Sequence, residues 1–163
     1  MKHFKLLFPC IFLALAFVAC SGTKEARKTE QKLDGSWQLQ TIETEGIAGA
    51  VKVKIFNEAN IQCFTGSAWK FNPGNNLGSY TISKNADDCF SIKREFRWSM
   101  YQEKDAPLYL QFKRLNENLK EIDGDDAGYR LRVIQINDSN LQLKMDIQFE
   151  GRPAALLFNF VAG

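Results

Sequence analysis

Leu141-Gln142-Leu143-Lys144-Met145-Asp146-Ile147-Gln148-Phe149-Glu150 alternates apolar and polar side chains without a fault. A period of two belongs to a β-strand with one face buried and the other in water. Asp138-Ser139-Asn140 forms a turn before it, and Gly151-Arg152-Pro153 reverses the chain after it. The same pattern recurs upstream. Phe90, Ile92, Phe96, Trp98 and Met100 make one apolar face, opposed by Ser91, Lys93, Glu95, Arg97 and Ser99, and Leu108, Leu110 and Phe112 begin another after Pro107. Weaker alternation marks 37–44, 67–71, 77–83, 128–136 and 153–161, with Pro73-Gly74-Asn75-Asn76 as a tight hairpin between the second and third of these. Residues 51–61 are ambiguous, since Val51, Val53 and Ile55 alternate while Phe56, Ala59 and Asn60 would also suit a short helix, and they read as a lid or linker. About eight antiparallel strands joined by short turns must hide their edges. The reading is all-β, an eight-stranded antiparallel up-and-down barrel, with a sandwich as the rival.

The start of the chain is different in kind. Lys2 and Lys5 precede an apolar run over 6–18 and the small residue Ala19, the layout of a secretory signal. The run is shorter than the about 20 apolar residues that span a bilayer, and the chain turns polar directly after Cys20. Phe17-Val18-Ala19-Cys20 resembles the lipobox of bacterial lipoproteins, which implies cleavage after residue 19 and acylation of Cys20 as a membrane anchor. Residues 20–32 then read as a lipidated N-terminus and flexible tether spanning roughly 20 Å, and 33–163 as one folded domain. By resemblance to the sorting rule of bacterial lipoproteins, Ser21 after the cysteine is compatible with the outer membrane, and the lack of an acidic cluster of the kind that marks surface display in some bacteria favours the periplasmic face over the cell surface.

The formal charge of +2 comes from 21 basic and 19 acidic side chains, and loss of Lys2 and Lys5 brings the mature chain to balance. That argues against a nucleic-acid partner, despite the basic and aromatic mixture at 93–98. His3 is the one histidine and lies in the signal. The mature protein therefore has no histidine for nucleophilic catalysis and lacks the commonest ligand for zinc or non-haem iron. No carboxylate pair stands out for glycoside chemistry. Asp123-Gly124-Asp125-Asp126 lacks EF-hand spacing and reads as a solvated turn. The expectation is a protein that is not an enzyme, with no metal and no cofactor. Cys10 leaves with the signal and Cys20 is acylated, so Cys63 and Cys89 remain as one disulfide. On the chain-entropy account that loop closure contributes roughly 3 kcal/mol.

The first strand opens with Leu33-Asp34-Gly35-Ser36-Trp37, and Gly35-x-Trp37 resembles the G-x-W motif of lipocalins. Cys63-x5-Trp69-x-Phe71, followed by Asn75-Asn76-x-Gly78-x-Tyr80 and Cys89, is similar to the lipocalin-like lipoproteins of Gram-negative envelopes. The resemblance implies a small eight-stranded barrel over most of 33–161. It makes Gly35 and Trp37 the barrel-closing residues, with Trp37 packed under Arg130, Arg132 or Arg152.

An interior of eight strands is just wide enough to be filled by side chains or to hold one small ligand. The inward faces carry many rings, and two readings follow: they fill the barrel, or part of them line a pocket. The candidate ligand-binding residues are Trp69, Phe71, Tyr80, Arg94, Phe96 and Trp98. Arg94 shares a face with Ile92 and Phe96, so if it points inward it needs a carboxylate from the protein or an anionic ligand. The expected function is that of a lipid-anchored envelope barrel binding a small hydrophobic or amphipathic molecule. The rival is an accessory module that docks on an outer-membrane protein complex.

Overall fold

The computed structural model describes residues 23–49, 52–83, 88–124 and 128–163. The chain runs through α1 (Lys24–Leu33), β1 (Gly35–Glu45), β2 (Lys54–Ile55), β3 (Ala59–Asn60), α2 (Ile61–Phe64), β4 (Ala68–Asn72), β5 (Leu77–Ile82), β6 (Ile92–Tyr101), β7 (Tyr109–Leu115), β8 (Tyr129–Ile136), β9 (Asn140–Phe149) and β10 (Arg152–Ala162). Each alternating segment of the sequence becomes a barrel strand. Eight of them close in the order β1-β10-β9-β8-β7-β6-β5-β4, every pair antiparallel, with β1 joined to β4. The sandwich is thereby excluded. Closure depends on β1 serving two neighbours, Trp37 facing both Trp69 of β4 and Ala162 of β10.

The interior is aromatic. Trp69, Trp98, Tyr80, Phe64, Phe96 and Phe158 are all fully buried, and burying each such ring stabilises by about 1.5–3 kcal/mol before entropy is counted. The indole N–H groups keep partners: Trp69 donates to the Ser67 hydroxyl at 2.9 Å, Trp98 to the Leu77 carbonyl at 3.0 Å and Trp37 to the Leu33 carbonyl at 3.0 Å. Cys63 and Cys89 form the expected disulfide with Cα atoms 5.4 Å apart, tying α2 to the segment before β6.

Three expectations need correction. The tether assigned to 20–32 is helical from Lys24, capped by the Thr23 hydroxyl, which accepts from the Ala26 amide at 3.1 Å. Its inward stripe is Ala26, Thr29 and Leu33, at helical spacing but with one large apolar residue, so it carries little hydrophobic signal. Cys20 lies outside the described residues. Phe90 is not part of the strand that follows it: β6 begins at Ile92, and Phe90 is 76% exposed. Two of the three arginines offered as a cap for Trp37 are engaged elsewhere. The Trp37 indole edge meets α1, while Arg130 stacks over Tyr101 at 4.6 Å and Arg152 pairs with Glu150 at the opposite end of the barrel.

Strand direction separates two ends. The closed end gathers α1, the 73–76 turn, the 102–108 loop and the 137–139 turn; the other end gathers β2, β3, α2, the start of β6 and residues 116–124. Gly35, at φ +112°, turns the chain from α1 into β1 in a backbone conformation that side chains disfavour. Gly78 has a different reason to lack a side chain. A Cβ there would lie 2.3 Å from the Phe96 ring and 2.6 Å from the Lys70 carbonyl oxygen. Gly78→Ala is therefore expected to lower stability by about 1–3 kcal/mol, measured as a drop in the urea midpoint with an unchanged slope.

Candidate functional site

The open end is built around a hairpin that folds into the barrel. β2 and β3 pair Lys54 with Asn60 and Ile55 with Ala59, and the turn between them is closed by the Glu58 amide donating to the Ile55 carbonyl at 3.0 Å. Phe56 and Asn57 both take left-handed conformations, at φ +52° and +49°. Asn tolerates this region, but for a bulky Phe it costs on the order of 1–3 kcal/mol. The surroundings hold it there. The Phe56 ring is 2% exposed and lies 5.1 Å from Phe112, 5.1 Å from Tyr129, 5.4 Å from Phe64 and 5.9 Å from Phe158.

Two residues further on, Glu58 closes the mouth. Arg94 grips both of its oxygens, Nε at 2.8 Å from Oε2 and Nη2 at 2.7 Å from Oε1. The Tyr80 hydroxyl donates to Oε2 at 2.7 Å, and Arg114 Nη1 donates to the same oxygen at 3.3 Å. Arg114 in turn is held by Asp123, through Nη2 to Oδ1 at 2.6 Å, Nε to Oδ1 at 3.0 Å and its own backbone amide to Oδ2 at 2.8 Å. Tyr129 completes the group by donating to Asp123 Oδ1 at 3.2 Å. The result is two arginines and two carboxylates with every charge paired, the condition for keeping charges out of water.

Burial pushes the Glu58 carboxyl up, but the hydrogen bonds from Arg94 and Tyr80 and the two guanidinium charges outweigh it and hold the group below the usual carboxylate range. Burial acts on Asp123 in the same direction, and Arg114 reverses it, leaving Asp123 lowered as well. Tyr80 is pushed up by burial and by the Glu58 carboxylate beside it. At neutral pH both carboxylates are therefore charged and both phenols are protonated donors.

The structure brings the predicted candidates together in two groups. Trp69, Phe71, Phe96 and Trp98 pack against one another, with ring centres 5.7 Å apart for Trp69–Phe96, 5.5 Å for Phe71–Phe96 and 5.3 Å for Phe71–Trp98. Arg94 sits at the mouth, and of the two partners the sequence allowed, it has the carboxylate from the protein. Tyr80 joins the groups, its ring 4.9 Å from Trp69 and its hydroxyl on Glu58. Sequence reasoning missed Phe56, Glu58, Arg114 and Asp123. Arg114 was within reach, because it continues the inward face of Leu110 and Phe112. Asp123 overturns the solvated-turn reading at its first position: its side chain is 2% exposed because Arg114 requires it there. Among the described residues no three His, Cys, Asp or Glu side chains converge as a metal site requires, and no helix is long and apolar enough to cross a membrane.

Residues 33–143 match a protein family described as a lipocalin-like domain. No curated protein sequence matches the chain. Among solved structures, bovine odorant-binding protein with its natural ligand is 10% identical, covering 88% of this chain and 76% of that one at a TM-score of 0.42. The same protein with a selenium-containing odorant is 11% identical, covering 88% and 78% at a TM-score of 0.43.

Asp123→Ala leaves Arg114 with too little counter-charge and is expected to cost about 3–5 kcal/mol, read as a lowered urea midpoint at pH 7. Both carboxyls titrate lower in the folded state than in the unfolded chain, so their stabilisation is complete above the ordinary carboxylate range near pH 4. It is lost as pH falls through the folded values. Urea midpoints measured from pH 7 down to pH 2 should fall more steeply below about pH 4 in the wild type than in Asp123→Ala.

Proposed function

The chain belongs to the lipocalin-like domain family, and from that premise we propose that it is a non-catalytic, lipid-anchored envelope protein whose barrel binds a small hydrophobic or amphipathic molecule. The observation that carries this reading is the composition of the barrel's two zones: an aromatic interior, and at its mouth a polar cluster in which two arginines and two tyrosines converge on the carboxylates of Glu58 and Asp123. Ligand sites combine an apolar lining with a few converging polar groups in this way. Part of that interior is occupied by a hairpin and not by the wall, so room can be made without breaking the barrel. No cofactor is assigned. The lipobox resemblance at 17–20 supports acylation of Cys20 and an outer-membrane address on the periplasmic face.

To test the binding, the mature protein purified from its native host is examined by native mass spectrometry for a copurifying small molecule and titrated with fluorescent apolar probes. One bound molecule per chain is expected. A protein that carries nothing and binds no probe overturns the reading. It would favour the second one, docking on an envelope protein complex, because a barrel that is always full offers only its outside; crosslinking in intact envelopes would then recover a stoichiometric partner. The anchor is checked separately. Labelled palmitate is expected to enter the wild type and not Cys20→Ser, and the variant to leave the membrane fraction.

A further inference from the structure

Of the four charges at the mouth, three belong to the barrel wall and its connections: Arg94 on β6, Arg114 on β7 and Asp123 in the chain after β7. The fourth, Glu58, comes from the hairpin. Without Glu58 the wall carries two guanidinium groups against one carboxylate, a net positive site at the rim of an aromatic interior. The hairpin meets that site with an apolar group inserted inward, Phe56, and a carboxylate held at the rim, Glu58. This is the layout of an anionic amphipath bound tail first.

We infer that the Phe56–Glu58 turn is a tethered occupant of the binding site, and that the ligand is a monocarboxylate with an apolar tail that replaces it. The inference rests on the binding reading above and gives that site its ligand class. Three details fix the chemistry. The Arg94 fork addresses both oxygens of one carboxylate while the Tyr80 hydroxyl takes a second position on one of them, a planar geometry suited to a carboxylate. Asp123 already answers Arg114, so the site has one charge left to neutralise, not two. Phe56 lies among rings that an apolar chain would meet equally well, and its left-handed backbone is released when the turn leaves. The turn lowers apparent affinity by the fraction of molecules in which it stays seated.

The experiment titrates the full mature protein with dansyl-undecanoic acid and with its neutral methyl ester. Glu58→Gln weakens the seat of the turn and is expected to bind both probes about tenfold more tightly than the wild type, with the acid tighter than the ester in each protein because only the acid answers Arg94. Phe56→Ala leaves all four charges in place and is expected to tighten both probes. Thermal unfolding supplies a second readout: the acid should raise the melting temperature of Glu58→Gln more than that of the wild type, because it replaces a missing counter-charge. Unchanged binding in Glu58→Gln or in Phe56→Ala, or an ester that binds as tightly as the acid, overturns this inference and leaves the binding reading standing. Failure of both probes with every variant overturns the binding reading itself, and this inference with it.

Discussion

A closed sheet of eight strands encloses a fixed volume, and the rest of this molecule follows from how that volume is filled. The wall supplies large rings from β4, β5, β6, β7 and β10, which interlock at tilted and edge-to-face angles. Rings this large cannot all point inward at every level. At Gly78 the wall omits a side chain so that Phe96 can lie across it. Elsewhere the wall is short of material, and there the 53–60 hairpin contributes Phe56. Interiors pack to the density of organic crystals, so a vacancy the size of a phenyl ring would be costly. The hairpin is thus required by packing, and its strained turn is tolerated because six neighbouring rings over-determine it.

The polar cluster follows from the same insertion. Once Phe56 is inside, Glu58 is delivered to a partly desolvated rim, where a lone carboxylate could not remain charged. Arg94 and Arg114 stand there because the inward face of each strand reaches the mouth at those positions. Each charge makes the others permissible. Arg114 has its own fixed partner, whereas Arg94 depends on the hairpin, so the two arginines differ in how much they lose when the hairpin moves.

Local alternation made the strands readable, because a half-buried strand writes its orientation into every second residue. The stretch at 141–150 supplies β9, in which Leu141, Leu143, Met145 and Ile147 stand opposite apolar residues of β10. The disulfide was readable because assigning Cys10 to an expected signal and Cys20 to an expected anchor leaves Cys63 and Cys89 as the pair. The hairpin was not, since two-residue strands are too short for periodicity and Phe56 reaches its place through a backbone conformation its residue type disfavours. Helix α1 was hidden for another reason: it rests on the barrel through Ala26 and Thr29, which look like solvent residues in a sequence. Arg94 was half legible. Alternation turned it inward, but only tertiary structure could say that Glu58, 36 positions away, would meet it.

Helix α1 also changes what a lipid on Cys20 would mean. A flexible leash would let the barrel reorient freely, but Thr23 is already held by the fold, its hydroxyl meeting Gln102 in a loop of the closed end. Three residue steps reach at most about 10 Å, so an acylated Cys20 keeps that end close to the bilayer. The mouth with Glu58 lies at the opposite end of the strands. A carboxylate ligand would then meet Arg94 from the aqueous side and not by sliding out of the leaflet.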